Sequence, residues 1–425
     1  MADFSRLLAP VPLARFVREH WQRRPLYVEG GADKLAWLDF GPKAFTRALR
    51  AAAKVDREFS APPSLKAQFL DPIRGNRELR IAPSQVRRMF DAGMTIGFHG
   101  IERFHEPLRR VVSSTKLALG EPGHVGINCY YSPHEKGFGL HFDHQSVFIL
   151  QIEGQKKWSY SRRPFVESPP NGMLLSERSL REWRAMHPHL RLRAPRKAEL
   201  VDVVLRPGDV LYLPPGCWHT ARARDSSLAL TLTVQPIRFM DLVLDVIAQR
   251  VAKERVLAHP PPGVPPALIT GAPRGVNRYL QAALERLQRE IGTLTIEDLG
   301  DAWCNRIVSG ARAPGPKRAA PLGDSKRLRV RNPIYVRADA DGALLDLEDR
   351  RLRVNRVALD LLKRLAKQPA FVLPDAEDAL GPLGKKAIAL LLENGLLEAA
   401  PIVGKADGPK RRRKRRSPKI PRQPR

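Results

Sequence analysis

The sequence has few cysteines and no long apolar run. Its 425 residues include three cysteines, Cys129, Cys217 and Cys304, which lie far apart. An odd number at this spacing fits neither a disulfide framework nor a cysteine-rich zinc site, so we expect three reduced thiols. No stretch approaches the roughly 18 consecutive apolar residues that span a bilayer, and residues 1–15 lack the apolar segment of a secretory signal. We therefore predict no membrane association and a cytoplasmic location.

Acidic residues are scarce relative to basic ones. The chain has 44 Asp and Glu against 73 Lys and Arg, a net charge of +29, which points to an anionic partner such as nucleic acid. Residues 405–425 carry eleven of the basic residues and one acid, Asp407. Because this Pro-rich segment cannot bury apolar area, we predict a disordered basic tail. Contact with RNA or the ribosome and simple solubilisation are its two possible roles.

Hydrophobic patterning changes along the chain. Residues 1–118 alternate short helical and extended patterns and predict a scaffold without a site of its own. Residues 119–236 contain short β-branched and aromatic runs between Gly and Pro turns, which predict antiparallel strands in a barrel or sandwich. In residues 237–310, apolar residues recur with the helical period. This last segment therefore predicts amphipathic helices that need a partner surface.

The C-terminal part is predicted to form a small separate module. Residues 311–327 are rich in Pro, Gly and Lys, which is typical of a linker between domains. Residues 328–404 contain the hairpin signal Asp341-Gly342 and a helix that Asn355 opens. Helices beside a small hairpin indicate a winged-helix-type module. Such modules bind nucleic acid in some proteins and serve as interaction or structural units in others.

Three polar residues in the strand region form a candidate metal site. His141 and Asp143 are two apart in a predicted strand, so their side chains point to the same face. His219 follows a predicted strand at 210–213 and a tight Pro-Gly turn, and it is the candidate for the third ligand. Two imidazoles and one carboxylate leave open positions on an ion for a bidentate co-substrate and oxygen. Non-haem iron(II) oxygenases use this arrangement.

Spacing alone leaves other interpretations open. With 11 His and 44 acidic residues in the chain, about one His-x-acid pair is expected by chance. His134 and His144 are alternative ligands, although His144 lies on the opposite strand face from Asp143. Cys217 offers a thiolate ligand. An ordinary core or surface role for the histidines also fits the spacing.

The surrounding sequence carries a family resemblance. Residues 128–133 (NCYYSP), 141–143 (HFD), 147–158 (VFILQIEGQKKW) and 207–219 resemble the JmjC-type ribosomal oxygenases. The similarity covers most of residues 10–236. It implies an α+β fold with a double-stranded β-helix core, the jelly-roll of cupin and JmjC proteins, flanked by helices. It also implies a helical dimerisation region, hence a homodimer, and a C-terminal winged-helix-like domain. The basic tail is outside the shared pattern.

The resemblance implies roles for particular residues. In the family, the positions of His141, Asp143 and His219 bind iron(II). Lys156 matches the cation that pairs with the distal carboxylate of 2-oxoglutarate, whereas its neighbour Lys157 is interpreted as a solvated lysine. A buried dicarboxylate does need a fixed positive charge as well as its metal bonds.

Four further polar residues match positions around the co-substrate. Asn128, Tyr130 and Thr231 are similar to residues beside 2-oxoglutarate, and Thr233 matches a position that faces the substrate side chain. Buried strand threonines and tyrosines are also common as packing residues. A direct role and a packing role are therefore both open for these four.

The implied activity is that of an enzyme. With iron(II) and O2, 2-oxoglutarate is decarboxylated oxidatively to succinate, and a C–H bond of a His or Arg side chain in a ribosomal or other nucleic-acid-associated protein is hydroxylated. Two other classes stay open: a cupin-like binding protein without the chemistry, and a metal-dependent cupin enzyme of another kind, such as an isomerase. Lys156 and residues 128–133 favour the oxygenase, because a bare metal site requires neither.

Overall fold

The computed structural model divides the chain into two compact units, residues 1–313 and 314–425. The predicted linker lies largely outside the residues that the structure describes, and the basic tail lies wholly outside them. No helix in the described part is long and apolar enough to cross a membrane. The described residues are 2–58, 64–71, 75–251, 274–311, 327–330, 335–339, 342–346, 351–365, 371–372, 385–394 and 396–399.

The first unit is built on two antiparallel sheets. Its described strands are β1 (Leu26–Val28), β2 (Ser64–Asp71), β3 (Gly75–Arg80), β4 (Thr95–His99), β5 (His124–Ser132), β6 (Gly137–Phe142), β7 (Ser146–Glu153), β8 (Lys156–Ser161), β9 (Met173–Leu174), β10 (Leu200–Leu205), β11 (Val210–Leu213), β12 (His219–Ala223) and β13 (Ser227–Gln235). The larger sheet has the order β1-β11-β7-β13-β5-β4-β2-β3, and the smaller has the order β10-β8-β12-β6-β9.

The two sheets enclose an apolar core between their inner faces. Ile149 and Leu211 of the larger sheet pack in one buried cluster with Trp158 and Ala221 of the smaller sheet. Side chains alternate between the faces of a strand, so each strand contributes every second residue to this interior. The predicted fold of an antiparallel β-sandwich core with helical flanks is confirmed.

Helices cover the outer face of the larger sheet. Phe4 packs edge-on against Phe148 with ring centroids 5.3 Å apart, and Phe16 packs against Tyr212 at 4.9 Å. These rings belong to the largest buried cluster of the first unit. Their burial stabilises the packing of the helices on the sheet. The described helices of this unit are α1 (Ala2–Leu8), α2 (Leu13–Glu19), α3 (Pro42–Glu58), α4 (Val86–Asp91), α5 (Glu106–Leu119), α6 (Glu177–Met186), α7 (Phe239–Val251), α8 (Arg274–Gly292) and α9 (Ile296–Ala311).

The turn predicted before residues 210–213 is present and leads into β11. Gly208 has φ +97°, a left-handed conformation that glycine adopts without strain. The buried Asp209 carboxylate accepts hydrogen bonds from the Arg206 backbone N–H at 2.9 Å and from the Gly30 N–H at 2.8 Å. The turn therefore ties β11 to the segment that follows β1.

The second unit has a core of its own. Leu328, Leu345, Leu362 and Leu391 lie in one buried cluster, and the Ala358 backbone N–H donates to the Asn355 side chain at 3.0 Å, as expected of an N-cap. The predicted turn residue Asp341 is outside the described residues, and the winged-helix-type module stays a prediction. The elements are β14 (Arg327–Val330), β15 (Tyr335–Asp339), β16 (Gly342–Asp346), β17 (Arg351–Asn355), α10 (Arg356–Leu365), β18 (Phe371–Val372), α11 (residues 385–393) and β19 (Leu397–Ala399).

Candidate metal and co-substrate site

The three candidate ligands meet where two strands of the smaller sheet pair. His141 is near the end of β6, Asp143 follows that strand directly, and His219 is the first residue of β12. His219 and His141 are cross-strand partners, and their ring centroids lie 4.2 Å apart. The Nε2 atom of His219 is 3.6 Å from the Asp143 carboxylate. One potential ligand atom from each of the three lies within 4.8 Å of the others, which is compatible with a single metal ion.

Backbone carbonyls orient both imidazoles. The Nδ1 of His141 lies 2.7 Å from the Gly139 carbonyl oxygen, and the Nδ1 of His219 lies 2.9 Å from that of Cys217. Because a carbonyl oxygen only accepts, each Nδ1 carries the proton and donates it. In the neutral form of each ring this leaves the lone pair on Nε2, the atom that can bind a metal.

Burial keeps His219 neutral. Its side chain is 3% exposed, and burial, aided by the neighbouring His141, lowers the pKa of His219 to about 4, although Asp143 opposes the shift. At neutral pH the His219 imidazole is therefore uncharged, and a metal ion does not have to displace a proton from it. A neutral imidazole is the form that binds a metal.

Two buried aromatic residues, each adjacent in sequence to a candidate ligand, pack against each other next to the site. Phe142 and Trp218 are fully buried, and their rings pack edge-on with centroids 4.9 Å apart. Gly216 has φ +75°, and a Cβ there would come within 1.9 Å of the Val166 carbonyl oxygen, so the approach to β12 requires glycine. These contacts fix the ends of the two strands on which the ligands lie.

Lys156 is a buried cation at the start of β8. Only 1% of this residue is exposed, its Nζ donates to the Ser132 hydroxyl at 3.0 Å, and it lies 5.4 Å from the Phe138 ring centroid. No salt bridge links it to a carboxylate within the part of the chain that the structure describes. Burial lowers the pKa of Lys156 to about 8. A buried ammonium group with neutral partners is a binding site for an anionic ligand.

The four remaining predicted residues lie on neighbouring strands of the larger sheet. Asn128 and Thr231 are cross-strand partners, so their side chains share the inner face. Tyr130 is two residues further along the same strand face, and burial, together with Asp143, raises the pKa of Tyr130, so its hydroxyl stays a donor. The Thr233 hydroxyl donates to the Gly126 carbonyl at 3.2 Å. Thr233 therefore already has one backbone partner.

The alternative ligands are not part of this group. Among the described residues, the group that could hold a metal does not include His134, His144 or Cys217. His134 is exposed, and its ring pairs with the Arg224 carbonyl oxygen. Burial raises the pKa of the Cys217 thiol to about 12, which disfavours the thiolate that a metal requires. Cys129, Cys217 and Cys304 are free cysteines.

Ser132 is a site residue that the sequence reasoning passed over. It is fully buried at the end of β5 and accepts from both Lys156 and Thr95. The strand period could have predicted it, because Ser132 is two residues from Tyr130 and four from Asn128 and therefore lies on the same strand face. Its contact with Lys156, however, joins strands of different sheets and is visible only in the tertiary structure.

Comparison with known proteins finds a domain match over the part of the chain that contains these residues. A family model for the JmjC domain matches residues 106–242. YxbC of Bacillus subtilis is 24% identical over 308 residues, which cover 69% of this chain and 88% of that protein. Ribosomal oxygenase 2 of Rattus norvegicus is 29% identical over 288 residues, 64% of this chain and 54% of that protein. The chain therefore spans only about half the length of this curated relative.

A solved structure shares the fold. YcfD, a ribosomal oxygenase from Escherichia coli determined in complex with cobalt and 2-oxoglutarate, superimposes with a TM-score of 0.54. The match covers 91% of this chain and 98% of that chain at 17% sequence identity. At this identity the likeness concerns the fold alone. Residues 106–242 form a JmjC domain, and the chain is a relative of the ribosomal oxygenases.

Proposed function

We propose that this protein is an iron(II)- and 2-oxoglutarate-dependent oxygenase that hydroxylates a His or Arg side chain of a ribosomal protein. The observation that carries the proposal is the buried Lys156, whose Nζ lies 5.4 Å from the ring centroid of Phe138; that ring in turn neighbours His141, one of the group of two histidines and one aspartate. A metal site of another kind has no use for a desolvated cation, whereas a bound dicarboxylate requires one. Its relatives include proteins named ribosomal oxygenases.

In this proposal His141, Asp143 and His219 hold the metal, and Lys156 pairs with the distal carboxylate of 2-oxoglutarate. When bound, iron(II) with 2-oxoglutarate and O2 supplies the oxidising chemistry that yields succinate and CO2 and adds one oxygen atom to a C–H bond. Both histidines place Nδ1 against a backbone carbonyl, which leaves Nε2 for the metal, and Asp143 supplies a carboxylate oxygen as the third ligand. Three protein ligands leave positions free for the co-substrate and oxygen.

The neighbouring polar residues position the co-substrate and exclude water. Asn128, Tyr130 and Thr231 line the inner face of the larger sheet, and Ser132 of the same strand as Asn128 accepts the hydrogen bond from Lys156. We assign these three to the co-substrate and Thr233 to the substrate side chain. The ring of Phe138 and the apolar side chains between the two sheets exclude water from this interior. Exclusion of water strengthens the interactions between charged groups there.

Two competing functions make different demands on the same residues. A binding protein that had lost the chemistry needs no intact ligand set, and a cupin isomerase needs no buried cation. The presence of both sets of residues favours the oxygenase.

The cytoplasm, where ribosomal proteins are made and assembled, is the proposed place of action.

Succinate release tests the proposed function directly. The purified protein is expected to convert 2-oxoglutarate to succinate only when iron(II) is present, and to add one oxygen to a peptide of a ribosomal protein mixture. Mass spectrometry of digested ribosomal proteins measures the added oxygen and identifies the modified side chain. Iron-independent turnover, or turnover with no modified peptide at any enzyme concentration, would refute the proposal.

We also propose that the protein is a homodimer formed through its helical region. Several large apolar side chains of α7, α8 and α9 face solvent, among them Phe239 with 67%, Leu244 with 56% and Ile296 with 85% of the residue exposed. Amphipathic helices with an exposed apolar face need a partner surface. A second copy of the same region supplies a surface of matching character.

The basic tail is proposed to bind RNA or ribosomes. Deleting residues 405–425 removes eleven basic residues and one acid, so association with ribosomal RNA is expected to fall and to lose most of its salt dependence. Succinate release without a protein substrate is expected to stay near the wild-type rate. Filter binding of RNA at two salt concentrations measures the effect. Equal affinity of the full-length and shortened proteins would contradict the proposal.

A further inference from the structure

Strands β4, β2 and β3 form one end of the larger sheet. Lys66 and Gln68 of β2 pair with Gly97 and Thr95 of β4, and Gln68 also pairs with Glu78 of β3. Gly97 in turn pairs with Tyr130. Because cross-strand partners share a face, the polar side chains of the β2–β3 hairpin lie on the same inner face as Tyr130. The hairpin also packs against β6, the strand that carries His141.

A chain of ring contacts connects this hairpin face to the metal ligands. The ring centroids of His99 and Tyr130 are 6.1 Å apart, those of Tyr130 and Phe138 are 5.3 Å apart, and those of Phe138 and His141 are 6.2 Å apart. Besides burial, the negative charges of Asp143 and Glu78 both raise the pKa of Tyr130. Tyr130 therefore contacts both His99 and Phe138 and is within electrostatic range of Asp143 and Glu78.

Glu78 is an ionised carboxylate with one short and one long hydrogen bond. Lys66 Nζ donates to its Oε1 at 2.5 Å, and the Gln68 amide nitrogen lies 3.5 Å from its Oε2. The hydrogen bond from Lys66 lowers the pKa of Glu78 despite partial burial. The Glu78 side chain is half exposed. A carboxylate has about four lone-pair positions, so Glu78 can accept further donors from outside.

Two neighbouring polar atoms are buried without a hydrogen-bond partner. They are the Oε1 of Gln68 and the Nε2 of His99, for which no partner exists among the described residues. Burial lowers the pKa of His99, so its ring is neutral and one of its nitrogens accepts. Buried polar atoms are nearly always paired in a complete protein or complex. The hairpin face thus offers several acceptors to a ligand that is rich in N–H donors.

We propose that Glu78, Gln68 and His99 form an acceptor subsite that binds a basic side chain of the protein substrate beside the metal site. This inference rests on the proposed function, because it concerns the substrate of that same site. A guanidinium group has five N–H donors in a planar fork and fits a carboxylate with an adjacent amide oxygen. The subsite selects substrates that carry such a residue next to the position that is hydroxylated.

The opposite interpretation is that Lys66 and Glu78 only stabilise the hairpin. The two interpretations differ in what each half of the ion pair does. If the pair is structural, Lys66→Met and Glu78→Ala should have the same effect, because each breaks the same bond. If Glu78 binds a cation, Lys66→Met removes a competing cation and leaves the carboxylate free, so substrate binding should be kept or strengthened.

The test uses the full-length enzyme with RNA-free ribosomal proteins as the probe. The modified peptide is identified with the wild type, and synthetic versions of it are made in which each basic residue is replaced by Gln in turn. For the unchanged peptide, Glu78→Ala is expected to raise KM about tenfold or more with a much smaller change in kcat. Glu78→Gln should lie between, and Lys66→Met should not raise KM. Melting temperatures check that each variant is folded.

The peptide series locates the contact. The penalty of Glu78→Ala should vanish for one replaced peptide, the one that has lost the bound basic residue. An equal penalty for every peptide, no penalty at all, or the same rise in KM for Lys66→Met would overturn the subsite. Failure of the proposed function has a different signature, because the wild type then forms no succinate from 2-oxoglutarate in any of these assays.

Discussion

Replacing His219 with alanine is expected to abolish 2-oxoglutarate turnover. The substitution removes one of three candidate ligands, and the ring it removes is buried and already deprotonated at neutral pH. Changes to residues that merely support metal ligands cost roughly 10–100-fold in affinity or activity, so the loss of a ligand should reach at least the upper end of that range. Succinate release and calorimetric binding of cobalt(II), an inert replacement for iron(II), measure the two effects.

The matched control for this prediction is His134→Ala. His134 is exposed and lies outside the ligand group, so its replacement should leave cobalt affinity and succinate release close to wild type. His141→Ala should behave as His219→Ala does, because the two rings face each other across paired strands. If His219→Ala bound cobalt with wild-type affinity, the assignment of the metal site would be wrong.

Replacing Lys156 with methionine is expected to stabilise the ligand-free protein while it destroys co-substrate binding. Burial lowers the pKa of Lys156 from 10.5 to about 8, which corresponds to a cost of about 3 kcal/mol for keeping the ammonium charged inside the protein. Methionine fills a similar volume without a charge. Ser132 keeps a partner after the change, because the Thr95 hydroxyl also donates to it at 3.2 Å.

The pH dependence of stability distinguishes this effect from simple repacking. The lowered pKa of Lys156 means that the unfolded chain binds more protons than the native protein between pH 8 and 10.5. Stability of the wild type therefore gains from this group as pH rises through that window, and the cost is fully present below it. Lys156→Met lacks this gain. Chemical denaturation at pH 7.5 and pH 10 is expected to show the larger difference between the two proteins at pH 7.5.

Co-substrate binding gives the second readout for Lys156. The wild type should melt at a higher temperature when 2-oxoglutarate and an inert metal are added, because a ligand that binds the native state stabilises it. Lys156→Met should lose most of this shift, and its KM for 2-oxoglutarate should rise about tenfold or more. The control is Lys157→Met, since the Lys157 side chain is 47% exposed and pairs with Asp202. A normal shift in Lys156→Met would contradict the assignment.

These two lysines show how far sequence reasoning reaches. They are adjacent in the chain and of the same type, so composition and charge cannot tell them apart. Alternation along a strand predicts that they face opposite sides, but not which side is the interior. The family resemblance singled out Lys156, and the structure places it in the interior.

For the metal ligands too, the sequence predicts one part of the site and the tertiary structure decides the other. The His141-x-Asp143 spacing and the strand period establish that two groups share a face, and the turn at residues 206–209 was predictable from its Pro, Gly and Asp. The meeting of His141 with His219 was not, because 78 positions separate them and only the pairing of β6 with β12 brings them together. Non-local pairing of this kind depends on how whole sheets pack.

The sequence by itself determined the strand-rich region, its faces, the candidate ligands, the strongly basic charge and, by resemblance, the family. Only the tertiary structure decided that Lys156 is buried against Ser132, and that Glu78 and His99 lie on the face that leads to the metal ligands. The physical reason is that local patterns fix the direction of a side chain relative to its own strand. Its neighbours depend on which distant strands pair, and the burial of apolar surface by the whole domain selects that pairing.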